Sequence, residues 1–211
     1  MRFYALLAAL SLLVPLQSLR AEAFTCTTRY DKDLTEARDL RKKGNLDGAE
    51  QKAQKIFDAD HSALRAQYTL GLIKIDRSVE AQGAAKTDLY NKGMADLLTV
   101  AKAIDNAFPT MSDADRTCVK SEGLFTIMVT VGFNYLQDGS YNVAAGYFAK
   151  AKVYDDRQLL TPAEHGKLLT DLGSLAYNIG DYPKARVYLT NAVKAGDSKA
   201  AVILRGLPQN G

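Results

Sequence analysis

The side chains in this sequence that could carry out chemistry are few and far apart. Histidine occurs only as His61 and His165, and neither has partners at the spacing of a catalytic dyad or a metal site. The segment 83–87, GAAKT, lacks the two glycines and the preceding strand of a phosphate-binding loop. No Gly-x-Ser-x-Gly nucleophile elbow occurs. We therefore predict no catalytic residue, no cofactor and no metal ion, and hence a protein that is not an enzyme.

The N-terminal segment has the pattern of a secretory signal peptide. Arg2 precedes an apolar run over 3–16, and residues 21–23 form an Ala-x-Ala cleavage pattern. The run is too short for a membrane anchor, and the residue before Cys26 is not the small one that a lipoprotein requires. We expect cleavage near Ala23, no transmembrane anchor, and a mature chain in the periplasm or outside the cell.

The mature chain would keep two cysteines, Cys26 and Cys118, and enter an oxidising compartment. A disulfide between them would close a loop of 92 residues, and the alternative is two unpaired thiols. Removing residues 1–23 leaves 25 Lys and Arg against 23 Asp and Glu. This near-neutral balance argues against nucleic acid as a partner, because nucleic-acid-binding domains carry a clustered basic face.

The elements that position these residues are visible as an internal repeat. The segments 131–151 and 172–192 align without a gap at an offset of 41 residues. Small residues and turn residues coincide in the two copies, and small residues at helical spacing indicate helices that approach each other closely. The coinciding pairs are Gly132/Gly173, Gly139/Gly180, Tyr141/Tyr182, Ala144/Ala185 and Ala151/Ala192.

These residues resemble the tetratricopeptide repeat (TPR), a helix-turn-helix unit of 34 residues. Looser copies of the pattern occur around Ala37, Gly44 and Ala49, and again from Leu64 onward. The repeats span about 30–63, 64–108, 125–158 and 166–199, all within one domain over 24–211. The resemblance implies an all-α, right-handed solenoid of about four helical hairpins with a short C-terminal capping helix.

Three local features refine this prediction. The copy 64–108 contains 11 additional residues between Gly71 and Met94, which predict two longer helices that turn near Gln82 to Ala84. Ser112 and the segment Thr161-Pro162-Ala163-Glu164 are helix-capping patterns. The segment 154–158, YDDRQ, is typical of a loop, and 199–205 predicts the terminal helix.

A TPR solenoid presents a concave groove lined by the first helix of each repeat, and this implies a partner-binding site. The repeat pattern also places Val129 and Ser174 in this groove, but we do not count them among the candidate binding residues. The candidate residues are Arg38, Arg41, Lys42, Arg65, Tyr68, Leu72, Phe133, Gln137, Lys167, Tyr177 and Asn178. They do not reproduce the clamp of Lys, Asn and Arg with which the best-known members bind a chain terminus.

The expected function is therefore a non-catalytic protein-protein interaction module, acting as an adaptor, assembly factor or chaperone-like scaffold. Its groove would bind a peptide or protein of the cell envelope, with aromatic anchors and charged hydrogen bonds. Two alternatives stay open. One is a small envelope enzyme or carbohydrate-binding protein with a site on the loops between repeats, and the other is a self-associating structural protein. The sequence does not specify the oligomeric state.

Overall fold

The computed structural model describes Cys26 and residues 30–208. Within these residues the chain is all-helical, without a strand, which confirms the predicted all-α class. The predicted signal peptide lies outside the described residues. The α-helices are α1 (Asp31–Lys42), α2 (Leu46–Ala59), α3 (Leu64–Glu80), α4 (Gly83–Ala107), α5 (Asp113–Ser121), α6 (Ile127–Gln137), α7 (Tyr141–Asp156), α8 (Pro162–Asn178), α9 (Tyr182–Lys194) and α10 (Ser198–Arg205). Short 3₁₀ turns occupy Phe108–Thr110 and Leu124–Thr126.

Helix boundaries follow the capping residues of the sequence. The Ser112 hydroxyl accepts a hydrogen bond from the Asp115 N–H at the start of α5. Thr161 and Glu164 form a reciprocal capping box, and Pro162 is the first residue of α8. These contacts satisfy backbone N–H groups that have no partner within the helix. The two predicted caps and the short C-terminal helix α10 are confirmed.

Four connections between helices use the same turn. The segments that join α1 to α2, α6 to α7, α8 to α9 and α9 to α10 have three residues each, with Gly44, Gly139, Gly180 and Gly196 in the middle. Their φ values are 79°, 74°, 81° and 92°, a left-handed conformation that glycine adopts at low cost. In each turn the next N–H bonds back to the helix just ended, as Ser140 does to the Tyr135 carbonyl at 2.8 Å. Four pairs of consecutive helices are therefore joined by the same local chemistry.

Consecutive helices pack in pairs, α1 with α2, α3 with α4, α6 with α7, and α8 with α9. A β-carbon on Gly132 would lie 2.6 Å from the Phe148 ring, and one on Gly173 would lie 2.6 Å from the Leu189 side chain. Both contacts are closer than side chains tolerate, so each glycine is needed where its helix crosses the next. The pairs α6–α7 and α8–α9 therefore share the same glycine contact, at positions 41 residues apart in the sequence.

The pair α3 and α4 is the longest, with helices of 17 and 25 residues. The chain turns at Ala81 and Gln82, and this confirms the turn predicted from the insertion. Here the two backbones approach each other directly, because a β-carbon on Gly93 would lie 2.7 Å from the Gly71 carbonyl oxygen.

The prediction of a loop over 154–158 is wrong for its first three residues, because α7 continues to Asp156. Tyr154 is buried, and its ring packs at 5.0 Å from Phe108 and 4.9 Å from Phe125, measured between centroids. Burial of this ring offsets the weak helical pattern of the polar residues around it.

Cys26 and Cys118 form a disulfide, which confirms the predicted bridge. The Cys26 N–H also donates to the Asp115 carboxylate at 2.9 Å. Cys26 is therefore attached to α5 by a covalent bond and by a hydrogen bond. In the part of the chain that the structure describes, no helix has both the length and the apolar content to cross a bilayer.

Candidate functional site

The first helices of the chain enclose a cavity of about 310 Å³, which we call the polar cavity. Helix α1 contributes Leu34 and three basic residues, and helix α3 contributes one face. The segment 121–126 between α5 and α6 closes one side, and Glu164 reaches in from α8. The lining residues are Leu34, Arg38, Arg41, Lys42, Arg65, Tyr68, Thr69, Leu72, Ser121, Glu122, Gly123, Leu124, Thr126 and Glu164.

Six of the eleven candidate groove residues line this cavity. They are the candidates of the first two predicted repeats, and they occur one turn apart on α1 and on α3: Arg38, Arg41, Lys42, Arg65, Tyr68 and Leu72. This spacing places them on one face of each helix, and packing of α1 against α3 brings the two faces together.

Arg65 is the most deeply buried charge of the polar cavity, with 7% of its side chain exposed. Its guanidinium contacts Asp31 and lies 2.8 Å from the Glu122 carboxylate. Glu122 also accepts a hydrogen bond from Arg38 at 3.1 Å. Two carboxylates, Asp31 and Glu122, therefore pair with the two arginines, and this pairing allows the Arg65 guanidinium to be buried.

The remaining basic residues of the cavity are more exposed than Arg65. Arg41 donates two hydrogen bonds to the Asp76 carboxylate, at 2.7 and 3.2 Å, in a bidentate pair. Lys42 is exposed and has no ion pair among the described residues. The Nε atoms of Arg38 and Arg65 are buried without a hydrogen-bond acceptor in the described part of the chain. The ion pairs of these arginines are therefore short, but some of their buried N–H donors have no acceptor among the described residues.

Tyr68 and Leu72 supply an apolar side to the same cavity. Burial raises the pKa of the Tyr68 phenol above its usual value, while hydrogen bonding with Thr126 and the charge of Arg41 act in the opposite direction. The phenol is therefore neutral at pH 7, and it presents a hydroxyl beside an apolar ring.

A tight turn brings the α5–α6 connection against α8. Gly123 has φ of +67°, and a β-carbon there would lie 3.1 Å from the Glu164 carboxylate. That carboxylate accepts the Thr161 N–H at 2.7 Å as part of the capping box. The cap of α8 thus also forms part of the cavity wall.

The other five candidates lie outside the polar cavity, on α6 and α8. The Phe133 ring is partly exposed and lies 4.8 Å from the Lys167 ammonium, a cation–π contact. Lys167 also binds Asp171 at 2.6 Å, and burial raises the pKa of that carboxyl. Tyr177 is exposed and packs beside Tyr182, while Gln137 and Asn178 are exposed at the ends of their helices.

Val129, which also falls at a groove position of the repeat pattern, is buried in the core. Sequence reasoning missed Glu122 and the rest of the segment 121–126, because nothing in their pattern links them to α1 and α3. Glu164 was recognised as a capping residue only, and its position in the cavity wall requires the packing of α8 beside the turn at Gly123.

The two histidines make ordinary contacts. His61 packs edge-on against Phe57 with a centroid distance of 5.0 Å, and His165 Nδ1 lies 2.7 Å from Asp155. Among the described residues, no group of three His, Cys, Asp or Glu is arranged to hold a metal ion.

Comparison with known proteins does not assign the chain to a family. No protein-family model matches this sequence, and no curated protein matches it.

Proposed function

We propose that this chain is an exported, non-catalytic interaction module of the TPR type, in which the polar cavity binds a peptide segment of a partner protein of the cell envelope. The module would act as an adaptor, an assembly factor or a chaperone-like scaffold. The observation that carries the proposal is that Arg38, Arg41, Arg65, Tyr68 and Leu72 share one cavity, as the repeat pattern implies.

The local geometry of the helix pairs supports the TPR part of the proposal. The same glycine-centred turn joins four pairs of consecutive helices, and the Gly132–Phe148 and Gly173–Leu189 contacts repeat at the sequence offset. A stack of such pairs would form a right-handed solenoid with α10 as its terminal cap. The disulfide and the absence of a membrane-spanning helix among the described residues are compatible with export.

The chemistry of the cavity supports a peptide as ligand. A segment lying along α1 and α3 would place an apolar side chain against Tyr68 and Leu72. Its backbone and polar groups would then meet the guanidinium groups of Arg38 and Arg41. Lys42 offers an ammonium that has no ion pair among the residues the structure describes. Such a mixture of aromatic and arginine contacts is typical of residues that dominate binding energy at interfaces.

The experiment is a selection of random 12-residue peptides displayed on phage, with the mature chain immobilised. We expect enriched peptides whose binding to the Tyr68→Ala variant is at least tenfold weaker, because truncation of a buried aromatic anchor costs about 2 kcal/mol. Phe133→Ala is the matched control, since that ring lies outside the cavity. Circular dichroism of both variants checks that the helices are intact.

Two results would count against the proposal in different ways. If no peptide is enriched, a peptide-binding module is the wrong function. If peptides are enriched but bind Tyr68→Ala and the unmodified chain equally, the chain binds peptides at another surface.

A further inference from the structure

A second concave surface runs along α8, between α7 and α9. Two adjoining cavities, of about 640 and 250 Å³, form it. Lys152 of α7 and Tyr188 of α9 line both cavities, so the two are continuous. We call this surface the lysine groove, and it shares no lining residue with the polar cavity.

The lysine groove is apolar along its floor. Its lining extends along α8 from Pro162 to Ile179, the residue that follows the helix, with leucines between them at helical spacing. Small side chains form the α7 wall, where Ala145 and Ala149 are exposed. Ile179 at one end is 58% exposed. The surface is therefore a trough with a low wall and an apolar base.

The length of the groove matches a helix. Pro162 begins α8, and Ile179, 17 residues later, is the residue after its end, which corresponds to about 25 Å of helix rise. A helix of about 17 residues laid beside α8 would cover this distance in nearly five turns. Grooves between helices bind amphipathic helices through apolar residues at positions i, i+3, i+4 and i+7.

The rim carries positive charge that the chain does not neutralise. Lys184 and Lys194 are exposed on α9, and neither forms an ion pair among the described residues. Lys152 on the opposite wall contacts Asp155 and Asp156. His165 also lines the groove and lies against Asp155. The α9 side of the rim therefore offers two free ammonium groups above an apolar floor.

We infer that the lysine groove is a second docking site, and that its occupant is an amphipathic helix of a partner protein. The apolar face of that helix would pack on α8 between α7 and α9. Acidic residues beside this face would pair with Lys184 and Lys194. The inference goes beyond the function proposed for the polar cavity and does not depend on it.

The test uses two synthetic 18-residue peptides with one leucine stripe at helical spacing. They differ only in the residues that flank the stripe, which are Glu in one peptide and Lys in the other. Fluorescence anisotropy on the mature chain should show that the Glu peptide binds at least tenfold more tightly, since two charge pairs change from attraction to repulsion. The double variant Lys184→Glu, Lys194→Glu should reverse this order.

Two further variants locate the site. Ala149→Trp places a large side chain on the exposed α7 wall and should weaken binding of the Glu peptide at least tenfold. Lys102→Glu, on α4 and outside both sites, should leave that binding unchanged. Because Ala149, Lys184 and Lys194 are exposed, these variants should keep the helical content of the unmodified chain, as circular dichroism will show.

Several outcomes would overturn the inference. It fails if neither peptide binds, if both bind equally, or if the double lysine variant keeps the original order. It also fails if light scattering shows that the chain alone is a dimer which Ala149→Trp dissociates, because a second copy would then occupy the groove.

Discussion

The polar cavity and the lysine groove differ in whether their basic side chains are paired with carboxylates. In the polar cavity, Arg65 and Arg38 share Glu122, and Arg41 is held by Asp76. On the α9 rim of the lysine groove, Lys184 and Lys194 have no ion pair among the described residues. Removing one member of an ion pair in the first region leaves a charge unpaired, whereas the two ammonium groups of the second can be removed without this cost.

Because of this difference, the charged groups that stabilise the fold are not the same in the two regions as those that could bind a partner. Binding in the polar cavity would draw on groups that already stabilise the fold, so variants there need a folding control. Binding in the lysine groove would draw on groups that the fold does not need. Stability measurements can therefore test the comparison without knowledge of any partner.

The largest expected effect comes from the disulfide that attaches Cys26 to α5. Cys118→Ser should lower the free energy of unfolding by about 4 to 5 kcal/mol, because the bridge closes a loop between residues 92 apart and so restricts the unfolded chain. Urea unfolding monitored by circular dichroism measures this change.

Hydrogen exchange on the same variant sharpens the comparison between the two regions. Amide protection should fall most in α1 and α5, beside the polar cavity, and less in α8 and α9, beneath the lysine groove. Cys26→Ser is the matched variant, since it removes the same bridge from the other end. Equal loss of protection across the chain would show that the two regions unfold as one unit.

The second effect concerns Glu122. Glu122→Ala leaves the buried Arg65 with the Asp31 carboxylate alone and removes the acceptor of Arg38. We expect a loss of about 3 kcal/mol, at the lower end for a buried pair because Arg38 is partly exposed. Chemical denaturation at pH 7 gives the value.

Two controls bracket that measurement. Asp88→Ala breaks the exposed pair with Lys92, and should cost about 0.5 kcal/mol or less. Lys184→Gln, on the rim of the lysine groove, should change stability by less than about 0.5 kcal/mol. If Glu122→Ala costs no more than these two variants, the polar cavity does not depend on its ion pairs.

The same two regions show what the sequence can predict. Features that depend on local sequence could be predicted. The caps at Ser112 and Thr161, and the turn after α3, appear where their residues indicate. The two cysteines also pair as expected. The caps and the turn depend on neighbours in the chain, so no knowledge of packing is needed for them. The bridge could be predicted because the chain has two cysteines, although it forms only where packing brings them together.

Features that depend on contacts between distant helices were not readable. Glu122 joins Arg38 and Arg65 across more than fifty residues, and nothing near Glu122 indicates this. The lysine groove could not be predicted because it depends on how α7, α8 and α9 are placed relative to one another. Its lining residues are regularly spaced within each helix, but this spacing does not show which helices are neighbours. Tyr154 extends α7 because distant aromatic rings bury it.

The smallest effect compares one glycine from each region. Gly123→Ala should destabilise the chain by about 1 to 2 kcal/mol, because alanine is strained at φ of +67° and its β-carbon would lie 3.1 Å from the Glu164 carboxylate. Gly146→Ala, within α7, should stabilise it by about 0.5 to 1 kcal/mol, since that β-carbon would meet no neighbouring side chain and alanine favours the helix. Thermal unfolding of both variants measures the two shifts, and shifts of equal sign would contradict a turn at Gly123 held against the α8 cap. The opposite signs expected here arise because the turn at Gly123 builds the polar cavity wall, whereas Gly146 takes no part in packing.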